Sequence, residues 1–278
     1  MSKRVALVTG ATQGLGLALV AGLARCLDPD DVVYLTGRDQ GRMNAAAATC
    51  PDARADVRTE MLDVADPDAA AKLAETLNER HGGVDLVVGN AVMRITPEQP
   101  AAAVIDEYVE VNNLGTTRLL RAFAPQVRPG GRLVVVASSV GTLYWLPPVL
   151  HAQFDDRATL DEVDAATLAW RDAVKNGSAL YTGWPAFINY PSKIAQVAAV
   201  RTLAAQRRDA DLVDGTLVAA FCPGMINTPT SGAFWDVSTA QTPEQAAVPL
   251  LDLLLGETDI TADYGQLVRG TTLVPWKP

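Results

Sequence analysis

The chain has 278 residues, 49% of them hydrophobic, and a mean hydropathy of +0.11. This is enough to bury a large core without disulfide or metal staples. A formal net charge of −9 would repel nucleic acid and anionic membrane surfaces, so a small-molecule partner is expected instead. Cys26, Cys50 and Cys222 are odd in number and lack CxxC spacing, which fits a reducing cytoplasm, and two histidines in unrelated contexts, His81 and His151, leave no metal site.

The basic start Met1-Ser2-Lys3-Arg4 precedes an apolar run too short for a signal peptide, and nothing further along approaches a membrane span. Arg4 to Val8 is expected to be a strand. It breaks into Thr9-Gly10-Ala11-Thr12-Gln13-Gly14-Leu15-Gly16, and a helical pattern runs from Leu17 to Leu27. In such a turn Gly10 permits the sharp bend, Gly14 admits a pyrophosphate close to the backbone, and Gly16 lets helix and strand pack tightly. Val32 to Thr36 reads as a second strand, Met61-Leu62 as the end of a third, and Val84 to Val88 as a fourth before Gly89-Asn90-Ala91. Helices are expected over Pro67 to His81 and over the longer segment Ala101 to Val127. Gly130-Gly131 introduces a fifth strand, Arg132 to Ala137, ending at Ser138-Ser139. A sixth, Leu217 to Cys222, stops at Pro223-Gly224, and a last lies near Gly265 to Arg269. Strands and helices alternating in this way predict an α/β fold: one doubly wound parallel sheet of Rossmann type, a single domain over 1–278, with ligands outside the carboxyl ends of the strands.

Between the fifth strand and the helix carrying Lys193 lies an insertion, 142–187. Thr159-Leu160-Asp161-Glu162 has capping-box spacing, Leu160, Val163, Thr167, Trp170 and Val174 mark one face, and Asn176-Gly177 ends the pattern. The insertion is therefore expected to hold an amphipathic helix.

Taken together, Thr9-Gly10 with Gly14 and Gly16, Asp63-Val64, Gly89-Asn90-Ala91, Asn112, Ser138-Ser139, Lys193, Pro223-Gly224 and Thr228 resemble the short-chain dehydrogenase/reductase pattern over essentially the whole chain. The insertion ending in Gly183-Trp184-Pro185, the Gly265-Gln266 strand and Trp276 resemble the monomeric carbonyl reductases within it. The resemblance implies a monomer, because the extra helix covers the surface that other members use to assemble. It also implies a dinucleotide cofactor held by Gly10, Thr12, Gln13, Gly14, Leu15, Gly16, Asp63, Val64, Asn90, Ala91, Lys193, Pro223, Gly224 and Thr228. After the second strand comes Thr36-Gly37-Arg38, with Arg42 one turn further, in place of the carboxylate that binds a ribose 2′-hydroxyl. Arginine suits a 2′-phosphate, so NADP is the expected cofactor. Gln13 stands where many NADP-using relatives have a basic residue, and Val92 replaces the glycine usual after Asn-Ala.

The catalytic segment departs from the family. A tyrosine is expected four residues before the lysine, on one helical face, to give its proton to a carbonyl oxygen as hydride arrives. Counting back from Lys193 gives Asn189, with Tyr190 three before. One residue rotates a side chain by about 100° on a helix, so Tyr190 serves as the acid only if the helix start is unwound or Pro191 resets its entry angle. Asn189 can donate a hydrogen bond to a carbonyl oxygen but cannot surrender a proton. Ser138, favoured over Ser139, would position the substrate, and Asn112 would order the backbone and a water beside Lys193.

Tyr144, Trp145, His151, Trp184, Phe234 and Trp235 suggest an apolar, aromatic or polycyclic substrate. Three functions follow: an NADP(H)-dependent carbonyl reductase using Tyr190 or water as acid; a relative catalysing a non-redox cyclisation, dehydration or isomerisation with Asn189 and Ser138 polarising a carbonyl; or a silent nucleotide-binding protein.

Overall fold

The computed structural model describes residues 3–50, 52–155, 157–256 and 259–278. Met1 and Ser2 of the basic start, and Asp156 of the insertion, lie outside the described residues. Eight strands form one sheet in the order β3-β2-β1-β4-β5-β6-β7-β8. They are β1 Val5–Val8, β2 Val32–Gly37, β3 Asp56–Met61, β4 Val84–Gly89, β5 Val127–Val136, β6 Leu217–Phe221, β7 Leu267–Arg269 and β8 Thr272–Val274. The first seven run parallel, and β8 pairs antiparallel with β7. Every residue of β1, β2 and β6 is buried. Continuous Val-rich runs of this kind are what a sheet covered on both faces requires. Strand order reverses around β1, with β2 on one side and β4 on the other, and the crevice at that point opens above their carboxyl ends.

The helices that cover the sheet include α1 Gly14–Cys26, α2 Gln40–Ala47, α3 Ala69–His81, α4 Ala101–Val109, α5 Gly115–Phe123, α6 Leu160–Lys175 and α7 Asn189–Val213. After them come α8 Pro229–Gly232, α9 Pro243–Leu255 and α10 Ile260–Asp263. Helix α1 starts inside the glycine turn, at Gly14 rather than Leu17, with Gly16 packed so closely on Gly10, Ala11 and Asn90 that no side chain fits there.

The expected long helix is broken. Residues Glu110–Leu114 form a π-helical turn, Ala124–Gln126 tighten into a 3-10 turn, and Val127 already belongs to β5. Gly130 and Gly131 lie within β5, where the register against β4 shifts between Val84 and Leu86. Gly130 adopts φ +81°, and a Cβ on Gly131 would stand 2.7 Å from the Asp85 carbonyl. The pair therefore forms a bulge in the strand rather than a turn before it.

The inserted helix α6 carries its full capping box, Thr159 with Glu162, and Gly177 leaves it with φ +78°. Its buried face is Leu160, Val163, Ala166, Thr167 and Trp170, packed on α4 and α7. The antiparallel β8, unforeseen from sequence, leads to Trp276. The Trp276 carbonyl accepts the Leu143 N–H at 2.9 Å and its indole donates to Asp155 at 3.0 Å, pinning the insertion to the C-terminal edge of the sheet.

Candidate active site

A cleft of about 830 Å³ opens at the carboxyl ends of β1 and β4. Gly10, Thr12, Gln13, Gly14, Leu15 and Gly16 line it from the first turn, and Arg38 and Arg42 from the end of β2. Asp63, Val64, Asn90, Ala91, Lys193, Pro223, Gly224 and Thr228 complete the wall, so sequence-predicted residues from six segments meet in one groove.

The glycine turn is shaped as a cradle. Gly10 takes φ +61°, and a Cβ there would stand 2.7 Å from Ala91 Cα. A Cβ on Gly16 would stand 2.6 Å from Asn90 Nδ2. Gly14 takes φ +56°, and a Cβ there would meet only Thr228 Cγ2, at 3.8 Å, so the backbone is open to the cleft. No side chain caps the start of α1, and its first turn holds no acid. Those N–H groups and the positive end of the helix dipole are thus left for an anion. Asn90 fixes the turn from β4: its amide donates to the Thr9 carbonyl at 3.0 Å, while Thr9 Oγ1 accepts the Asn90 and Ala91 N–H groups. Thr9, absent from the expected site, does this structural work.

Arg42 donates from Nη2 to Gln13 Oε1 at 3.2 Å, which brings a guanidinium to the glycine turn where the sequence offered only glutamine. Arg38 lies 3.8 Å from Glu107 across the mouth of the cleft, both side chains exposed. One carboxylate does follow β2, that of Asp39, but it caps α2 by accepting the Arg42 N–H at 2.8 Å.

At the other end, the half-buried Lys193 donates from Nζ to Gln196 Oε1 at 2.7 Å and to the Val136 carbonyl at 3.3 Å. Burial lowers its pKa to about 8. Gln196 passes the connection on, donating to the Asn112 carbonyl at 2.8 Å and to Thr116 Oγ1 at 3.1 Å. Gln196, three residues after Lys193 on the same helical face, thus links the lysine to the Asn112 backbone by a side chain. Asn112 sits in the π-helical turn, and its Oδ1 accepts the Met93 N–H at 2.7 Å. The Asn112 carbonyl accepts both the Gln196 amide from α7 and, at 2.7 Å, the Thr116 hydroxyl of its own helix segment. Ser138 is half-buried, and its carbonyl accepts the Gly141 N–H at 2.8 Å. A Cβ on Gly141 would lie 2.8 Å from the Lys193 carbonyl, so glycine there sets the serine turn against α7.

Helix α7 begins at Asn189, so Tyr190 lies in helical backbone, one residue before Pro191. Its ring packs between Trp145, tilted with centroids 5.1 Å apart, and Phe187, edge-on at 5.4 Å. Asn189 accepts the Tyr108 hydroxyl on Oδ1 at 3.1 Å. Burial pushes the Tyr108 phenol up to about 12.

The aromatic residues divide into two groups. Trp145, Tyr190, Phe187, Phe234 and Trp235 form a continuous cluster, and Phe187, missed in the sequence, is its hub at 5.2 Å from Phe234 and 6.4 Å from Trp235. Tyr144 touches its edge. Trp184 instead packs against Phe154 and Trp170 inside the insertion, and His151 Nε2 pairs with the Leu146 carbonyl at 2.8 Å. These last two make their contacts within the insertion. No group of three or more His, Cys, Asp and Glu that could hold a metal occurs among the described residues, and no helix there is long and apolar enough to cross a membrane.

The short chain dehydrogenase family matches residues 4–147. Carbonyl reductase [NADPH] 1 of Sus scrofa is 30% identical over 98% of this chain and 94% of its own length. Carbonyl reductase [NADPH] 3 of Mus musculus is 30% identical over 98% of each. Among solved structures, salutaridine reductase from Papaver somniferum superposes with a TM-score of 0.79 at 21% identity, covering 95% of this chain and 99% of that one.

Proposed function

Because the chain belongs to the short-chain dehydrogenase/reductase family, we propose that it is an NADP(H)-dependent carbonyl reductase acting on an apolar, aromatic or polycyclic ketone. The observation that carries this reading is the single cleft running from two arginines, past an uncapped helix start, to Lys193. The residues fit the dinucleotide. Open N–H groups of Gly14 and Leu15 suit the pyrophosphate, and Arg38 with Arg42 suits the 2′-phosphate. Asp63 and Val64 would flank the adenine, Asn90 and Ala91 would lie beneath the cofactor, and Pro223, Gly224 and Thr228 would hold the nicotinamide end. When bound, NADPH supplies a hydride to the carbonyl carbon.

The chain's own residues do the rest. Lys193 would hold the ribose and, with its pKa lowered to about 8 by burial, is an ammonium at neutral pH that can still release its proton. Asn189 Nδ2 and Ser138 Oγ donate hydrogen bonds to the carbonyl oxygen, and the proton that oxygen gains is traced to Lys193 Nζ. The cluster around Phe187 offers an aromatic surface to the flat face of the substrate. Tyr190 is part of that wall and not the acid.

Packing of α6 on α4 and α7 supports a monomer, with residues 142–187 an insertion in one domain. The free cysteines Cys26, Cys50 and Cys222 accord with a cytoplasmic site of action. A second reading, polarisation of a carbonyl without hydride transfer, is favoured by the amide at position 189. NADPH consumption against a panel of aromatic ketones and quinones, with product masses, tests between them: reduced products support the reductase, whereas changed products without cofactor consumption support the second reading.

A further inference from the structure

Tyr108 and Asn189 are 81 positions apart, yet their side chains meet at the place where the family's acid would stand. Tyr108 is 2% exposed, on the last turn of α4 before the π-helical turn. Its hydroxyl also neighbours Ser192 and Asn112, both buried. A phenol so enclosed, with burial raising its pKa to about 12, stays protonated and stays put. Its proton is donated to Asn189 Oδ1.

An asparagine amide has two faces, an acceptor and a donor, and in water it turns freely between them. Here the acceptor is taken by Tyr108. The Asn189 amide nitrogen makes no hydrogen bond to a described residue and is not among the buried unpartnered atoms, so it meets open space. We propose that Tyr108 is a positioning residue: by occupying Asn189 Oδ1 it fixes the amide with Nδ2 toward the substrate, making position 189 a permanent hydrogen-bond donor for a carbonyl oxygen. The site thereby keeps the donor that a tyrosine would supply and gives up its acidity. If the amide flipped, its oxygen would face the substrate oxygen and repel it.

This inference rests on the carbonyl reading of the site, but its test does not require hydride transfer. The NADP+-loaded protein is titrated with an aromatic ketone and with the hydrocarbon of the same shape that lacks the carbonyl. Tyr108→Phe keeps the ring and removes the hydroxyl. It is expected to weaken ketone binding about tenfold, the usual worth of one well-placed hydrogen bond, and to leave hydrocarbon binding and NADPH binding unchanged. In an Asn189→Ala background the same change is expected to have no further effect on the ketone. Where NADPH turnover is measurable, kcat falls with KM for NADPH unchanged.

Equal losses for ketone and hydrocarbon, no loss for either, or an undiminished effect of Tyr108→Phe in the Asn189→Ala background would overturn the proposal. If Tyr108→Phe does not fold, Asn189→Asp decides: it presents an oxygen to the substrate whatever Tyr108 does, and must lose ketone but not hydrocarbon binding. Failure of the reductase reading shows separately, as an absence of NADPH consumption in the parent protein.

Discussion

Replacing Arg38 by alanine tests the cofactor end of the cleft. Its guanidinium is 68% exposed, and its ion pair with Glu107, at 3.8 Å between two exposed groups, adds little to stability, about 0–1 kcal/mol. The fold should therefore survive the change. A charge-assisted contact with the 2′-phosphate is worth about 1.5–3 kcal/mol, and exposure places this one near the lower end. That corresponds to roughly a 10- to 30-fold loss of NADPH affinity. NADH has no 2′-phosphate and should bind Arg38→Ala as it binds the parent protein. Calorimetric titration of both cofactors into both proteins, at two salt concentrations, measures the difference. The parent is expected to prefer NADPH, with a preference that shrinks at high salt. Equal affinities in the parent, or equal losses of NADPH and NADH in Arg38→Ala, would refute the assignment of this arginine to the phosphate.

Four further outcomes are expected. Because burial lowers Lys193 to about 8, its ammonium is present below that pH and disappears above it; kcat/KM for ketone reduction should be flat below about pH 8 and fall about tenfold per unit above, whereas a profile level to pH 10 would exclude Lys193 as the proton source. Gly16→Ala places a Cβ 2.6 Å from Asn90 Nδ2 and 2.8 Å from the Gly10 carbonyl, so NADPH affinity measured by fluorescence titration should fall at least tenfold; unchanged binding would show that the cradle has slack. Trp170→Ala removes a fully buried ring from the insertion and should lower unfolding free energy by about 3–5 kcal/mol in urea titration, while light scattering of the parent protein is expected to give a monomer; a dimer or tetramer would mean that α6 leaves an assembly surface open.

Much of the cleft was legible because its signals are local. The glycine turn between an apolar run and a helical pattern, the capping box at Thr159 and Glu162, and the Asn176-Gly177 stop each lie within a few residues, and each forms as the pattern requires. What stayed hidden depends on contacts across the chain. Arg42 reaches Gln13 over 29 positions, and Tyr108 reaches Asn189 over 81; neither distance follows from spacing. Gly130 and Gly131 are expected to precede the fifth strand and instead lie within it as a bulge, because two glycines in sequence cannot distinguish a break before a strand from a kink within it. Gln196 could have been found: it stands three residues after Lys193, within reach on a helix, and a buried lysine needs an acceptor. The partition of the aromatic residues could not, since Trp184 and Trp145 differ only in what surrounds them.

The central claim is that a carbonyl is reduced at a site where an amide replaces a phenol. The most direct measurement is the fate of the hydride. NADPH deuterated at the transferring position of the nicotinamide is mixed with the protein and an aromatic ketone, and the product is weighed and its deuterium located. The account predicts an alcohol carrying deuterium on the former carbonyl carbon, one per cofactor consumed, in both the parent protein and Tyr190→Phe. A product without deuterium and an unconsumed cofactor, or deuterium transfer that vanishes in Tyr190→Phe, would contradict it.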